Sequence, residues 1–160
     1  MVAAALLLAG CAGGHATRST ATGEAKDRFV NSADQICAQH LEATLALLGR
    51  DERGSEWRRQ ATRNEGIYEI LATSIQRLEA LGAAPDPRGS AFRSYVKTLK
   101  ARASLYRIEG VADLHHDLVT AAQMERRVGE IDSLGDGYAQ RYGLRICGIG
   151  AKQATQGLGA

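Results

Sequence analysis

Side chains able to do chemistry are few and scattered in this chain. Its cysteines are Cys11, Cys37 and Cys147, and its histidines are His15, His40, His115 and His116. Asp113 and His116 are three residues apart, so on a helix they share a face, and a carboxylate beside an imidazole is half of a metal site. A di-iron bundle needs two Glu-x-x-His elements and two further glutamates. No second element accompanies Asp113-x-x-His116, and a solvated helix face is the better reading. Cys37-x-x-His40 is another half-site by spacing alone. For nucleophilic catalysis, a Gly-x-Ser-x-Gly elbow is missing and no histidine is placed beside a nucleophile. Ser55 and Ser90 read as helix caps. Gly148-Ile-Gly150 follows a cysteine and leads into a polar tail, which is no phosphate loop. The expectation is a protein that is not an enzyme, with no catalytic residue, metal or cofactor.

Two patterns point to binding rather than catalysis. Arg93, Lys97, Lys100 and Arg107 fall within about 80° of one another at the helical period. The segment 86–109 carries six basic and two acidic residues, a net +4, and its stripe is a candidate contact for anionic headgroups. The segment 111–142 carries six acidic and three basic residues, a net −3. An antiparallel neighbour of that sign would neutralise the stripe, and this is the favoured reading. Tyr68, Tyr95, Tyr106 and Tyr138 all fall on inward stripes. They are either core rings with hydroxyls at the rim or the lining of a ligand pocket. The net charge of +2 gives no case for nucleic acid.

The N-terminus carries the most specific signal. Val2 to Leu8 is an apolar core of signal-peptide length, and Ala9 and Gly10 are small, as a cleavage site requires. Leu8-Ala9-Gly10-Cys11 resembles the lipobox of bacterial lipoproteins. The resemblance implies a diacylglyceryl thioether on Cys11 and cleavage just before it. No Lys or Arg precedes the apolar core, so the native start is expected upstream. The run is too short for a bilayer span, which needs about 20 residues. Two acyl chains on Cys11 would hold the protein stably at a membrane. With Cys11 lipidated, Cys37 and Cys147 remain as an even pair in an exported protein, where disulfides persist. They form either a disulfide between the first helix and the C-terminal tail or two buried thiols.

The elements read as follows: signal peptide 1–10, flexible tether 11–24, helical domain 25–150, disordered tail 151–160. Aromatics make up 5% of the chain and prolines number only 2, which argues against a sandwich or barrel. Helix one is predicted over 25–48, on the stripe Phe29, Ala33, Ile36, Cys37, Leu41, Thr44, Leu48. Helix two runs from Ser55 to about Leu81, with a seam through Trp57, Ala61, Asn64, Tyr68, Leu71, Ile75 and Leu78. Gly82, Pro85 and Pro87 end it. Helix three is predicted from near Pro87–Ser90 to about Glu109, on the stripe Phe92, Tyr95, Val96, Leu99, Ala103 and Tyr106. A break at Gly110 then precedes helix four over 111–142, with Leu114, Leu118, Ala121, Val128, Ile131, Leu134 and Tyr138 facing inward and a kink expected near Gly135, where Gly129, Gly135 and Gly137 weaken the helix. A long bent helix through Gly110 is the alternative. Gly143 is the C-cap.

The expected fold is all-α, an up-and-down four-helix bundle with the tail tied to helix one. Ala33-Asp-Gln-Ile-Cys-Ala38 and Gly143-Leu-Arg-Ile-Cys-Gly148 resemble motifs of a loose group of small actinobacterial lipoproteins of unassigned activity. That resemblance implies an architecture and no mechanism. The functional expectation is a lipid-anchored envelope protein acting as a non-enzymatic interaction module, its partners being membrane lipid through Cys11 and an envelope protein. The alternative is a carrier binding a small apolar or metal ligand between its helices.

Overall fold

The computed structural model describes residues 16–50 and 53–148. Four helices follow one another: α1 (Ala16–Leu48), α2 (Glu56–Ala80), α3 (Gly89–Leu114) and α4 (Leu118–Tyr142). The described residues contain no strand, and the helices form an up-and-down bundle. The segment 1–10 expected as a signal peptide, Cys11, and the segment 151–160 expected as a disordered tail lie outside the described residues.

The predicted stripes on α1 to α3 form the core. Phe29, Ala33, Ile36, Leu71, Ile75, Leu78, Phe92, Val96 and Leu99 all belong to one buried cluster. Phe29 of α1 meets Phe92 of α3 at 4.8 Å and Tyr142 of α4 at 5.8 Å between ring centroids, joining three helices edge to face. At the end of α1 the stripe shifts by one residue. Leu47 is buried and Leu48 is exposed, because Leu47 drops against Gly66, where a Cβ would come within 2.8 Å of it. Gly66 thus sets the approach of α1 to α2.

Two boundaries differ from expectation. The stretch 11–24 was expected as a tether, yet it is helical from Ala16 onward. Ala, Thr, Arg and Glu there tolerate helix, no proline interrupts, and just beyond the stretch Lys26 pairs with Asp86 at 2.7 Å and holds this end of α1 to the α2–α3 connection. Gly110 is not a break. It lies buried inside α3, where a Cβ would sit 3.4 Å from Asn64 Cβ and 3.5 Å from the Ala61 carbonyl, so it permits close packing on α2. The turn comes at 115–117 instead. His116 takes a left-handed φ of 59°, and Asp117 caps α4 by accepting from Thr120 N at 3.0 Å. At the other cap positions, Ser55 sits at an N-cap with no side-chain bond. Ser90 lies inside α3, whose start is held by Asp86 accepting from Arg88 N at 2.7 Å.

The inward face of α4 also differs. Leu114, Leu118 and Leu134 are exposed, and the buried positions are Met124, Val128, Gly135, Ala139 and Tyr142. At Gly135 a small residue faces inward because α4 lies close against α3 there: a Cβ would be 3.0 Å from Thr98 Oγ1. The backbones of α3 and α4, α2 and α3, and α1 and α2 pack in sequence, whereas α1 and α4 do not pack closely along their lengths.

Candidate functional site

The C-terminal segment closes that open seam. Gly143 (φ 100°) ends α4, and Leu144 N returns to the Ala139 carbonyl at 3.0 Å. Leu144 is then buried, and Cys147 reaches Cys37 in a disulfide with S–S 2.07 Å and Cα–Cα 5.1 Å. Asp34, one turn before Cys37, accepts from Arg145 N and Ile146 N, each at 2.9 Å, and from Arg145 Nε at 3.2 Å. The Arg145 guanidinium also donates to Asn31 Oδ1 at 2.6 Å. The two short sequence motifs therefore meet in space as one clasp. Sequence reasoning found its cysteines and missed Asp34, whose signal was a carboxylate next to Ala33 and one helical turn from Cys37 on the inward stripe.

Tyr95 sits beneath the clasp. Its hydroxyl donates to the Cys147 carbonyl at 3.2 Å and lies 3.5 Å from Cys37 Sγ, which in the disulfide can only accept. Burial pushes the Tyr95 phenol well above its ordinary value, so it stays a neutral donor.

Under the same clasp lies a cavity of about 70 Å³ bounded by all four helices and the tail. Leu41, Leu99, Ile131 and Ile146 form its apolar walls, and His40, Ser74, Arg102, Asp132 and Asp136 its polar ones. His40 Nδ1 lies 3.1 Å from Ser74 Oγ, a histidine–serine pair that sequence spacing did not foresee. Ser74 spends its one proton on the Ile70 carbonyl at 2.8 Å, so at this contact the imidazole is the donor and does not act as a base. Burial, with the Arg102 charge, pulls the His40 pKa down to about 4, and the ring is neutral at neutral pH. Arg102 is committed elsewhere: its Nε forms an ion pair with Asp132 at 3.1 Å, and its Nη2 reaches the Tyr106 hydroxyl at 3.5 Å.

The four tyrosines do not share a pocket. Tyr95 lines the cavity, Tyr68 and Tyr106 line a separate groove of about 380 Å³, and Tyr138 carries Arg141 over its ring at 4.5 Å. The fully buried ring is Tyr142, read from sequence only as a helix end, and its hydroxyl has no hydrogen-bond partner among the described residues. The basic stripe is exposed along α3, but its neutralisation differs from expectation. Lys100 pairs with Glu79 of α2 at 2.6 Å, and Arg107 lies over the Tyr68 ring at 5.8 Å. Arg93 and Lys97 are exposed. The α3–α4 ion pair uses Arg102, which lies outside the stripe.

The histidine half-sites come apart. Asp113 accepts from Asn64 Nδ2 at 2.9 Å, while the His116 ring packs on Trp57 at 4.4 Å. No group of three metal-ligating side chains converges among the described residues.

At the far end, Ile108, Val111, Leu114, Leu118 and Val119 are all exposed, the last two by 73% and 80%. They form an apolar corner around the α3–α4 turn. Grooves of about 380 Å³ and 360 Å³ share Val111 at their margin.

Comparison with known proteins finds no match among family models, curated proteins or solved structures. The disulfide is compatible with a location outside the cytoplasm. No described helix is long and apolar enough to cross a membrane.

Proposed function

We propose that this chain is a lipid-anchored envelope protein, held at a membrane through acylated Cys11, whose bundle docks an envelope protein by its apolar α3–α4 corner. The observation that carries the docking is the exposure of Leu114, Leu118 and Val119 together at one turn. Large apolar side chains grouped at a surface mark interaction sites, whereas single ones need no explanation. Position supports the anchor. α1 has 33 residues, a length of about 50 Å, and its N-terminus lies at the end opposite the corner. A lipid at Cys11 would leave the corner facing away from the membrane. The lipobox resemblance and the disulfide both suit an exported protein.

The test has two arms. Cys11→Ser should move the protein from the membrane fraction to the soluble one, and retention would remove the anchor. A photo-crosslinking residue at Val119 should capture one protein in cells, and Leu118→Asp should abolish that capture. A crosslinker at Arg93, on the other side of the bundle, should capture nothing. Capture undiminished by Leu118→Asp would remove the docking corner.

A further inference from the structure

The cavity beneath the clasp lies in the half of the molecule away from the apolar corner, and its chemistry is independent of docking there. Its position follows from topology: it occupies the seam where α1 is not packed along α4. Its size limits the occupant. An apolar cavity of about 150 Å³ holds benzene, so about 70 Å³ admits roughly three or four heavy atoms.

The polar walls limit the occupant further. At neutral pH His40 is uncharged, and the lining sets one guanidinium, Arg102, against two carboxyl groups, Asp132 and Asp136; burial and the neighbouring Asp132 push the Asp136 carboxyl above its ordinary value, and Arg102 draws it part of the way back. Arg102 and Asp132 are paired with each other. Asp136 takes part in no hydrogen bond or ion pair among the described residues, although it is half-buried and beside Asp132. An apolar ligand alone would desolvate that carboxylate without compensation, and an anion would be repelled by it. A cationic donor would form the charge-assisted bond that Asp136 lacks.

We propose that this cavity binds a primary alkylammonium group, its ammonium at Asp136 and its short aliphatic stem between Leu41, Leu99, Ile131 and Ile146. Two sources offer that group: a free short amine, or the aminoalkyl end of a larger molecule entering through the open side.

Methyl-resolved NMR of the full chain at neutral pH tests this, with n-propylammonium chloride as the probe and sodium propionate as the matched anion. Propylammonium should shift the Leu41, Ile131 and Ile146 methyls saturably in the millimolar range, the affinity that about four heavy atoms support. Propionate should bind at least about tenfold more weakly. Asp136→Asn should erase that preference, with helical circular dichroism and the disulfide retained. Ile131→Phe, which fills the site while keeping every charge, should abolish binding. Nα-acetyl-lysine methylamide separates the sources: shifts at the same methyls assign the arm of a larger molecule, and their absence beside propylammonium binding assigns a free amine. The proposal is overturned if propionate and propylammonium bind equally, if the shifts never saturate, or if Asp136→Asn leaves the preference intact.

Discussion

Where α4 ends, four different devices act between Gly143 and Cys147: a left-handed glycine, a buried leucine, a carboxylate accepting two backbone N–H groups, and a covalent bond. Where α4 begins, Asp117 caps the helix and His116 rests on Trp57, while Leu118 and Val119 stand in water. The contrast follows from chain separation. The clasp joins residues 110 apart across a seam that helix packing does not close. The corner joins the ends of two consecutive helices through three residues, and so short a closure costs little entropy. Apolar side chains at the corner therefore have no structural task, which leaves them available for a partner.

Removing the disulfide should have the largest effect on this contrast. Cys37→Ser with Cys147→Ser should lower stability by about 4–5 kcal/mol on the chain-entropy model, read as a lower urea midpoint. An unchanged midpoint would show that the clasp holds without its covalent bond. Asp34→Asn comes next. It withdraws the charge facing the Arg145 and Ile146 amides and should cost about 1–3 kcal/mol with the disulfide intact.

Acid should act on the two halves with opposite signs. Burial lowers the folded pKa of His40 from 6.5 to about 4, so the unfolded chain binds the extra proton, and this contribution is lost as pH falls through that range. Burial raises Glu109 and Asp113, which lie on α3 toward the corner. Their folded state holds protons that the unfolded chain releases. Their contribution is complete below the unfolded carboxylate range and is lost as pH rises through the folded values. His40→Asn should therefore reduce the loss of melting temperature between neutral pH and pH 4, and Glu109→Gln should reduce the opposing gain. A variant that moves the profile the other way would overturn its assignment.

Tyr142→Phe should stabilise by about 1 kcal/mol, because it removes a buried hydroxyl without a partner and keeps the ring contacts to Phe29 and Phe92. A lower melting temperature would mean that the hydroxyl is satisfied. The smallest effect belongs to the corner. Leu118→Ser with Val119→Ser should change stability by no more than about 0.5 kcal/mol, as exposed positions do. A larger loss would make the corner structural and weaken its reading as a docking surface.

Local signals in the sequence determined the helices of this protein and their order. Apolar residues three and four apart define a face within one helix, and Gly82 and Gly143 with Pro85 and Pro87 stop helices through their own backbone constraints. The pairing of Cys37 with Cys147 was legible as one of two alternatives, because few cysteines were available. Tertiary structure decided what depends on two helices at once. Gly110 and Gly135 look like breaks in one dimension and act as points of close approach in three. α4 turned Gly135 and Ala139 inward in place of its leucines, and at Gly135 proximity to α3 excludes bulk. The partners of Asp34, His40 and Arg102 lie on other elements. The cavity itself is the space left between α1 and α4, a property of how helices are placed and of no residue alone.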